Sequence, residues 1–229
     1  MSLFAIADLH LSLGTDKPMD IFRGWDGYEK RLEENWRKLI THNDTVVIPG
    51  DISWAMKLSD TFEDFRFING LPGKKLFLKG NHDYWWDTRR KMEMYLKENG
   101  FDTIEIVFNS AYAADGYAVC GTRGWFYDAE TDSDKKVLNR EVGRLRTSLD
   151  EALKTGLEPV VFLHYPPVFG NQRCDDILSV LKEYGIKKCY YGHLHGTNAA
   201  RKAVTGDFEG IKFRLISSDY LKFMPELVR

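Results

Sequence analysis

The 229-residue sequence is poor in features that mark secreted, membrane-spanning and general nucleic-acid-binding proteins. Its three cysteines, Cys120, Cys174 and Cys189, form no CxxC pair, which predicts reduced thiols in a cytoplasmic protein rather than a disulfide framework. Asp8 and His10 interrupt the apolar N-terminus, so we expect neither a signal peptide nor a transmembrane helix, and no membrane partner. A net charge of −2 gives no broad basic surface for nucleic acid.

Repeats, low-complexity stretches and long linkers are also lacking, and the length suits a single domain over residues 1–229. Short apolar runs that suit buried strands alternate with segments of helical period. This alternation is typical of an α/β fold with a mixed sheet, or two facing sheets, and outer helices. Asp115-Gly116 predicts a hairpin within 104–121, and the tail 211–220 is expected to be extended. The apolar positions predict helices over 28–40, 59–69, 87–99, 132–156 and 174–185.

Five polar clusters each follow one of the apolar runs directly. Five of the six histidines belong to these clusters, and only His42 does not. Since the loops beyond the carboxyl ends of strands in an α/β sheet form one crevice, the clusters are expected to meet there as a metal site. They are Asp8-Leu9-His10, Gly50-Asp51, Gly80-Asn81-His82-Asp83, His164 and Gly192-His193-Leu194-His195.

The spacing within two of the clusters suits a shared metal region. Side chains alternate faces along a strand, so Asp8 and His10 can present two ligands to one metal region. His193 and His195 have the same spacing. Carboxylate oxygen with imidazole nitrogen suits Mn²⁺, Fe, Ni²⁺, Co²⁺ or Zn²⁺ better than Ca²⁺. The glycines before the ligand candidates permit a close approach of the backbone to an ion or phosphate.

The order D-x-H, GD, GNHD, H and GHxH, from Asp8 to His195, resembles the calcineurin-like metallophosphoesterase superfamily. The resemblance implies a four-layer α/β fold, with two stacked mixed β-sheets flanked by helices. It also implies two divalent or mixed-valence transition-metal ions at the sheet edge. One ion would be held by Asp8, His10, Asp51 and His195, and the other by Asp51, Asn81, His164 and His193. Asp51 would then bridge the pair.

The same resemblance implies hydrolysis of a phosphate ester by attack of a metal-bridging hydroxide. His82 would be the acid that acts on the leaving group, outside the metal sphere. Asp83 would fix the tautomer of His82 and favour the imidazolium.

The sequence departs from two well-known branches of the superfamily. Asp51 is followed by Ile52-Ser53-Trp54-Ala55 rather than the V-D-R-G of the protein Ser/Thr phosphatases, and lipid A precursor hydrolases typically have arginine where this chain has His82. We therefore predict a small phosphomonoester or phosphodiester as substrate. A phosphodiesterase or nuclease acting on nucleotides or nucleic acid is the alternative, with long nucleic acid disfavoured by charge. A noncatalytic metal-binding scaffold is the alternative of another class.

Three residues are candidates for substrate contact. Arg123 lies between glycines after a predicted strand, where it can either bind phosphate in the crevice or form a surface salt bridge. Trp54 and Trp125 lie beside the predicted metal loops, as do Trp85 and Trp86. Such rings can stack on a flat group of the substrate or pack in the core.

Overall fold

Two β-sheets lie between two layers of helices in the computed structural model, which describes residues 1–125 and 131–229. In chain order the strands are β1 (Leu3–Ala5), β2 (Thr45–Pro49), β3 (Lys74–Leu78), β4 (Ile104–Ile106), β5 (Tyr112–Ala114), β6 (Tyr117–Thr122), β7 (Glu158–Leu163), β8 (Val168–Phe169), β9 (Gln172–Arg173), β10 (Lys188–Tyr191), β11 (Gly206–Phe208), β12 (Ile211–Leu215) and β13 (Glu226–Leu227). The α-helices are α1 (Tyr28–Leu39), α2 (Phe62–Asn69), α3 (Arg89–Glu98), α4 (Asp132–Lys154), α5 (Asp175–Glu183) and α6 (Gly196–Lys202).

Both large sheets have parallel central strands. The first has the order β13-β1-β2-β3-β4, in which only β13 runs antiparallel to its neighbour. The second has the order β11-β12-β10-β7-β6-β5, with antiparallel strands β11 and β5 at its two edges. The short strands β8 and β9 form a separate hairpin. The predicted pair of mixed sheets is therefore confirmed.

The alternation of side chains along β1 explains how the layers stack. Leu3 and Ala5 belong to an apolar cluster that also holds Val160 and Phe162 of the second sheet, so this face lies between the two sheets. Phe4 belongs instead to a cluster with α1, α2 and α3. The opposite face of the second sheet packs on α4 and α5. Four layers result, in the order helices, sheet, sheet, helices.

The five predicted helices and the hairpin at Asp115-Gly116 are present, with ends that move by a few residues. The segment predicted to start at 59 opens with a 3₁₀ turn, Leu58–Thr61, before α2. The tail 211–220 is extended only over β12, and α6 was not predicted because its seven residues bury no side chain. Within the described ranges, no helix is both long enough and apolar enough to span a bilayer.

The inner cluster between the sheets is expected to dominate the stability of the fold. Phe162 is completely buried there and stacks on Tyr190, with ring centroids 5.3 Å apart. Phe162→Ala should lower the free energy of unfolding by about 3–5 kcal/mol, because it removes buried apolar area and leaves a cavity. Urea denaturation measures this change. Leu153→Ala on α4, where Leu153 is 53% exposed, is the control and should cost less than about 0.5 kcal/mol. Equal costs would contradict the assignment of the core.

Candidate metal centre

The predicted clusters meet at one edge of the structure because the strands before them are parallel. Strands β1, β2 and β3 of the first sheet and β7 and β10 of the second all end there. Hydrogen bonds join the two sheets at this edge, from Ala7 N to Ile216 O (2.8 Å) and from Ser218 N to Ala7 O (3.0 Å). The loops of the two sheets are therefore held in a common frame.

Four of the candidate ligands have left-handed backbone conformations. The φ angles are 61° at Asp8, 47° at His10, 51° at Asp51 and 70° at His193. Such angles are uncommon outside glycine and cost free energy, so they persist only where the surrounding structure imposes them. These strained residues lie in the loops that turn the four side chains toward the same point.

Glycines allow these loops to approach one another closely. A Cβ atom on Gly80 would lie 2.2 Å from Oδ1 of Asp51, and one on Gly192 would lie 2.4 Å from Oδ2 of Asp8. A Cβ atom on Gly50 would meet the backbone of Gly80 at 2.6 Å. Any larger residue would displace a carboxylate or a loop.

One group of possible ligands consists of Asp8, His10 and His195, whose donor atoms lie within 4.8 Å of one another. Nε2 of His10 is 3.2 Å from Nε2 of His195, and that atom of His195 is 3.7 Å from Oδ1 of Asp8. Both oxygens of Asp8 also accept the backbone N–H of His193, at 3.0 and 2.9 Å. The three donors face a common point, as ligands of one ion do.

The second group consists of Asp51, His164 and His193, again with donor atoms within 4.8 Å. Nδ1 of His193 lies 3.2 Å from Nε2 of His164. Oδ1 of Asn81 lies 2.6 Å from the same His164 atom, which adds an amide oxygen to this group.

Asp51 lies between the two groups. Its Oδ2 atom is 3.7 Å from Nε2 of His10 in the first group and 3.5 Å from Nε2 of His164 in the second. Its Oδ1 atom accepts the backbone N–H of His82 at 2.8 Å, which fixes the orientation of the carboxylate. One carboxylate oxygen thus faces the ligands of both groups.

Burial determines the protonation of this cluster. Burial, and then the nearby charge of Asp8, raise the pKa of Asp51 to about 8. Burial lowers the pKa of His10 and of His193 to about 3, which leaves both rings neutral and able to bind a cation. Burial opposes ionisation of Asp8, yet the hydrogen bond and charge of His195 keep its pKa below the usual value. Carboxylates close to the neutral rings of His10 and His193 form a donor set that fits divalent transition-metal ions.

The structure contains no hydrogen bond between Asp83 and His82 through which Asp83 could fix the tautomer of that ring, so the predicted role of Asp83 needs correction. Nδ1 of His82 has no hydrogen-bond partner among the described residues. The carboxylate of Asp83 is fully buried and turned the other way. It accepts hydrogen bonds of 2.7 to 3.4 Å from the ring of Trp85 and from the backbone N–H groups of Asp51, Ile52, Ser53 and Gly80. Asp83 holds the Asp51 loop against the Gly80 loop, so it positions Asp51 rather than His82.

A cleft of about 510 Å³ opens beside the two groups. His82 and Trp54 line it, and their roles toward a substrate stay predictions. Trp54 stacks on His10, with ring centroids 5.0 Å apart, and lies 4.4 Å from the His82 ring. Trp85 is buried in the core, where its indole N–H donates to Asp83.

Arg123 and Trp125 are not among the described residues that line this cleft. The guanidinium of Arg123 is 3.5 Å from the buried carboxylate of Glu141 and 4.9 Å from the ring of Trp125. Arg123 lines a small pocket separate from the cleft, together with Lys79 and Arg144. Of the two alternatives for Arg123, the structure contains the salt bridge, and binding of phosphate by Arg123 stays a prediction. Trp125 touches Tyr165, whose ring packs on His193.

Sequence reasoning missed several residues of the cleft. Met19, Phe22, Arg23 and Trp25 reach it from the segment between β1 and α1, and Asp219 reaches it from the segment after β12. Two signals in the sequence could have found them. Phe22 and Trp25 are aromatic residues in a largely polar segment, and Asp219 is an acid that follows a strand, as the acids of the other clusters do.

Asp219 orients one of the candidate ligands. Its Oδ1 atom is 3.0 Å from Nδ1 of His195, and its Oδ2 atom accepts the backbone N–H of Gly196 at 2.8 Å. Burial alone would lower the pKa of His195, but the hydrogen bond that its ring donates to Asp219 and the interaction with Asp8 raise it to about 10. A carboxylate on Nδ1 leaves Nε2 directed toward Asp8, which is the usual way that proteins orient a metal-binding histidine.

Comparison with known families agrees with this arrangement. A model of the calcineurin-like phosphoesterase family matches residues 1–197. The fold and the site thus define a hydrolase of phosphate esters, and the chain belongs to the calcineurin-like phosphoesterase family. Membership implies divalent metal ions as cofactors. No curated protein matches the sequence significantly.

Solved structures share the fold at low sequence identity. A protein of unknown function from Aquifex aeolicus is 17% identical, with a TM-score of 0.56 over 99% of this chain and 95% of that chain. The phosphopantetheinyl hydrolase from Mycobacterium tuberculosis is 14% identical, with a TM-score of 0.57 and the same coverage. A protein from Thermus thermophilus is 13% identical, with a TM-score of 0.55 over 85% and 82% of the two chains. Such similarity shows the fold and leaves the substrate open.

Removal of the Asp219 carboxylate should weaken metal binding without unfolding the protein. Asp219→Asn is expected to lower the affinity for Mn²⁺ by roughly 10–100-fold, because His195 would lose the partner that orients it. Isothermal titration calorimetry of metal-free protein with Mn²⁺ measures this change in affinity. Asp176→Asn, an exposed position on α5, is the control and should bind as the unaltered protein does. Equal affinities in the two variants would contradict the role of Asp219.

Proposed function

We propose that this protein is a binuclear metal-dependent phosphoesterase that hydrolyses a small phosphomonoester or phosphodiester. The observation that carries the proposal is the position of Asp51, whose Oδ2 atom lies within 3.7 Å of imidazole nitrogens from both ligand groups. A carboxylate in this position suits two ions better than one. Membership of the calcineurin-like phosphoesterase family supports the reaction class.

The donor atoms suit Mn²⁺, Fe, Zn²⁺, Ni²⁺ or Co²⁺, since imidazole nitrogen is mixed with carboxylate and amide oxygen. Bound cations of this kind lower the pKa of water and neutralise the charge that develops on a phosphate group. The first ion would be held by Asp8, His10, Asp51 and His195, and the second by Asp51, Asn81, His164 and His193.

His82 is suited to act on the leaving group. Its ring is half-buried at the wall of the cleft, against Trp54, and the neighbouring Asn81 belongs to the second ligand group. Burial, and then the charge of His164, lower the pKa of His82, whereas a bound phosphate anion would favour the imidazolium. The proton can then pass from this ring to the departing alkoxide.

A second candidate within the class is a phosphodiesterase acting on nucleotides. It is favoured by Trp25 and Trp54, which both line the cleft and could stack on a base. Long nucleic acid is disfavoured by the net charge of −2, which provides no extended cationic track. A noncatalytic scaffold is disfavoured because it would not require His82 beside a complete ligand set. We also propose a cytoplasmic location, which the three free, buried cysteines support.

Metal content tests the bridging role directly. Because Asp51 would contact both ions, Asp51→Asn should lose both, whereas Asn81→Ala should lose mainly the second. Elemental analysis of protein equilibrated with Mn²⁺ and then gel-filtered gives the stoichiometry, and hydrolysis of p-nitrophenyl phosphate gives the rate. Chelation should abolish turnover, and Mn²⁺ should restore it better than Ca²⁺. Full activity in metal-free protein, or equal metal content in the two variants, would refute the proposal.

Leaving-group dependence tests His82. His82→Ala should keep both ions and lower kcat by roughly 10²–10⁴-fold on alkyl phosphates, which need a proton to depart. The loss should be much smaller on p-nitrophenyl phosphate, because nitrophenolate departs without a proton. Tyr84→Ala, at an exposed neighbouring position, controls for disturbance of the loop. An identical loss on both substrates would show that His82 is not the acid.

A further inference from the structure

The wall of the cleft contains a set of side chains that the proposed chemistry does not use. Met19, Phe22 and Trp25 form an apolar surface opposite Trp54, beside the candidate metal ligands. Phe22 is 52% exposed, although most large apolar side chains of the chain are buried. An open cleft with such a wall favours a ligand that has an apolar part.

This wall is held in place by its own contacts. The ring of Trp25 packs edge-on against Tyr28 and Phe223, with centroids 5.0 Å away in both cases. The indole N–H of Trp54 lies 3.3 Å from the sulfur of Met19, which ties the two sides of the wall together. The surface is therefore preformed, and little ordering is needed when a ligand binds.

A second cavity of about 590 Å³ adjoins the cleft. Arg23, Gly196 and Asp219 line both spaces, so they lie at the boundary between them. Lys222 lines only the far cavity. A ligand anchored at the candidate metal centre can reach this cavity only if it is several atoms long.

Positively charged side chains outnumber negatively charged ones around the second cavity. Both oxygens of Asp219 are engaged, by His195 and by the backbone of Gly196. The side chains of Arg23 and Lys222 make no hydrogen bond or ion pair with any residue in the described parts of the chain. Two unpaired cations against one engaged acid favour an anion in the far cavity.

We propose that the segment 19–25 forms a specificity site for phosphate esters whose alcohol is elongated, apolar near the phosphate and anionic at its far end. Phe22, with Trp25 beside it, contacts the apolar part. Arg23 binds the distal phosphate or carboxylate, and Lys222 adds positive charge behind it. The inference rests on the proposed phosphoesterase function and names the substrate class for that site.

Unhydrolysable ligands test this subsite apart from catalysis. Alkylphosphonates of two to eight carbons, and the same chains ending in a carboxylate, can be titrated into Mn²⁺-loaded protein. Binding is followed through tryptophan fluorescence, since Trp25 and Trp54 lie in the cleft. Affinity should rise by up to about fourfold for each methylene buried. Beyond a threshold length, the terminal carboxylate should add about tenfold, the gain expected of a charge-assisted hydrogen bond.

Two variants separate the parts of the site. Arg23→Gln should remove the gain in affinity from the carboxylate and keep the dependence on chain length. Phe22→Ala should weaken the dependence on chain length and keep the gain from the carboxylate. Arg90→Gln and Met94→Ala, both exposed on α3, are the matched controls and should change neither. Metal content should stay unchanged in all four variants, and turnover of p-nitrophenyl phosphate should stay unchanged in the two α3 controls.

The possible outcomes test the specificity site separately from the proposed phosphoesterase function on which it rests. Metal-dependent binding that is indifferent to chain length and terminal charge would overturn the specificity site and leave the phosphoesterase intact. Binding of phosphonates to chelated protein as tightly as to loaded protein would instead overturn the metal-dependent function. A gain from the carboxylate that survives Arg23→Gln would refute the assignment of Arg23.

Discussion

The burial of two carboxylates at the junction of two sheets is the constraint on which the site depends. Asp8 is 0% and Asp51 is 1% exposed, and a buried anion is costly unless hydrogen bonds or cations compensate it. Backbone N–H groups meet part of this requirement, from His193 to Asp8 and from His82 to Asp51. The neutral rings of His10 and His193 and the charged ring of His195 lie around the carboxylates. The charge that is left over is what makes the edge of the sheets suitable for divalent cations.

The fold supplies this burial through its parallel strands. Strands from both sheets end at the same edge, and the apolar layer that contains Phe162 holds the sheets together beneath it. Left-handed residues store strain in the loops above, and glycines let these loops pack closely together. A well-packed core can sustain such strain because the layers below it are rigid. Asp83 contributes by joining two of these loops through its buried carboxylate.

Chemistry and specificity come from different parts of the chain. The candidate ligands follow strands and are fixed by the sheets, whereas the wall of the cleft comes largely from the segment between β1 and α1. Such a division lets one scaffold serve many substrates through changes in its loops. Phe22 and Arg23 are therefore the positions at which a different substrate would require different residues.

The sequence alone predicted the α/β class, the five longer helices and the clusters that hold the candidate ligands, because each depends on local patterns: helical or strand period, and polar residues placed directly after a strand. The four layers and the division of the ligands between two ions were implied by the family resemblance. Only the tertiary structure decided the partners of long-range side chains. Asp83 faces Asp51, 32 residues away, rather than its neighbour His82, and Arg123 pairs with Glu141 of α4. Asp219 reaches His195 across 24 residues, and Arg23 comes from a loop without regular period. Local pattern predicts where the backbone of a residue lies, but the direction and partner of its side chain depend on how distant segments pack.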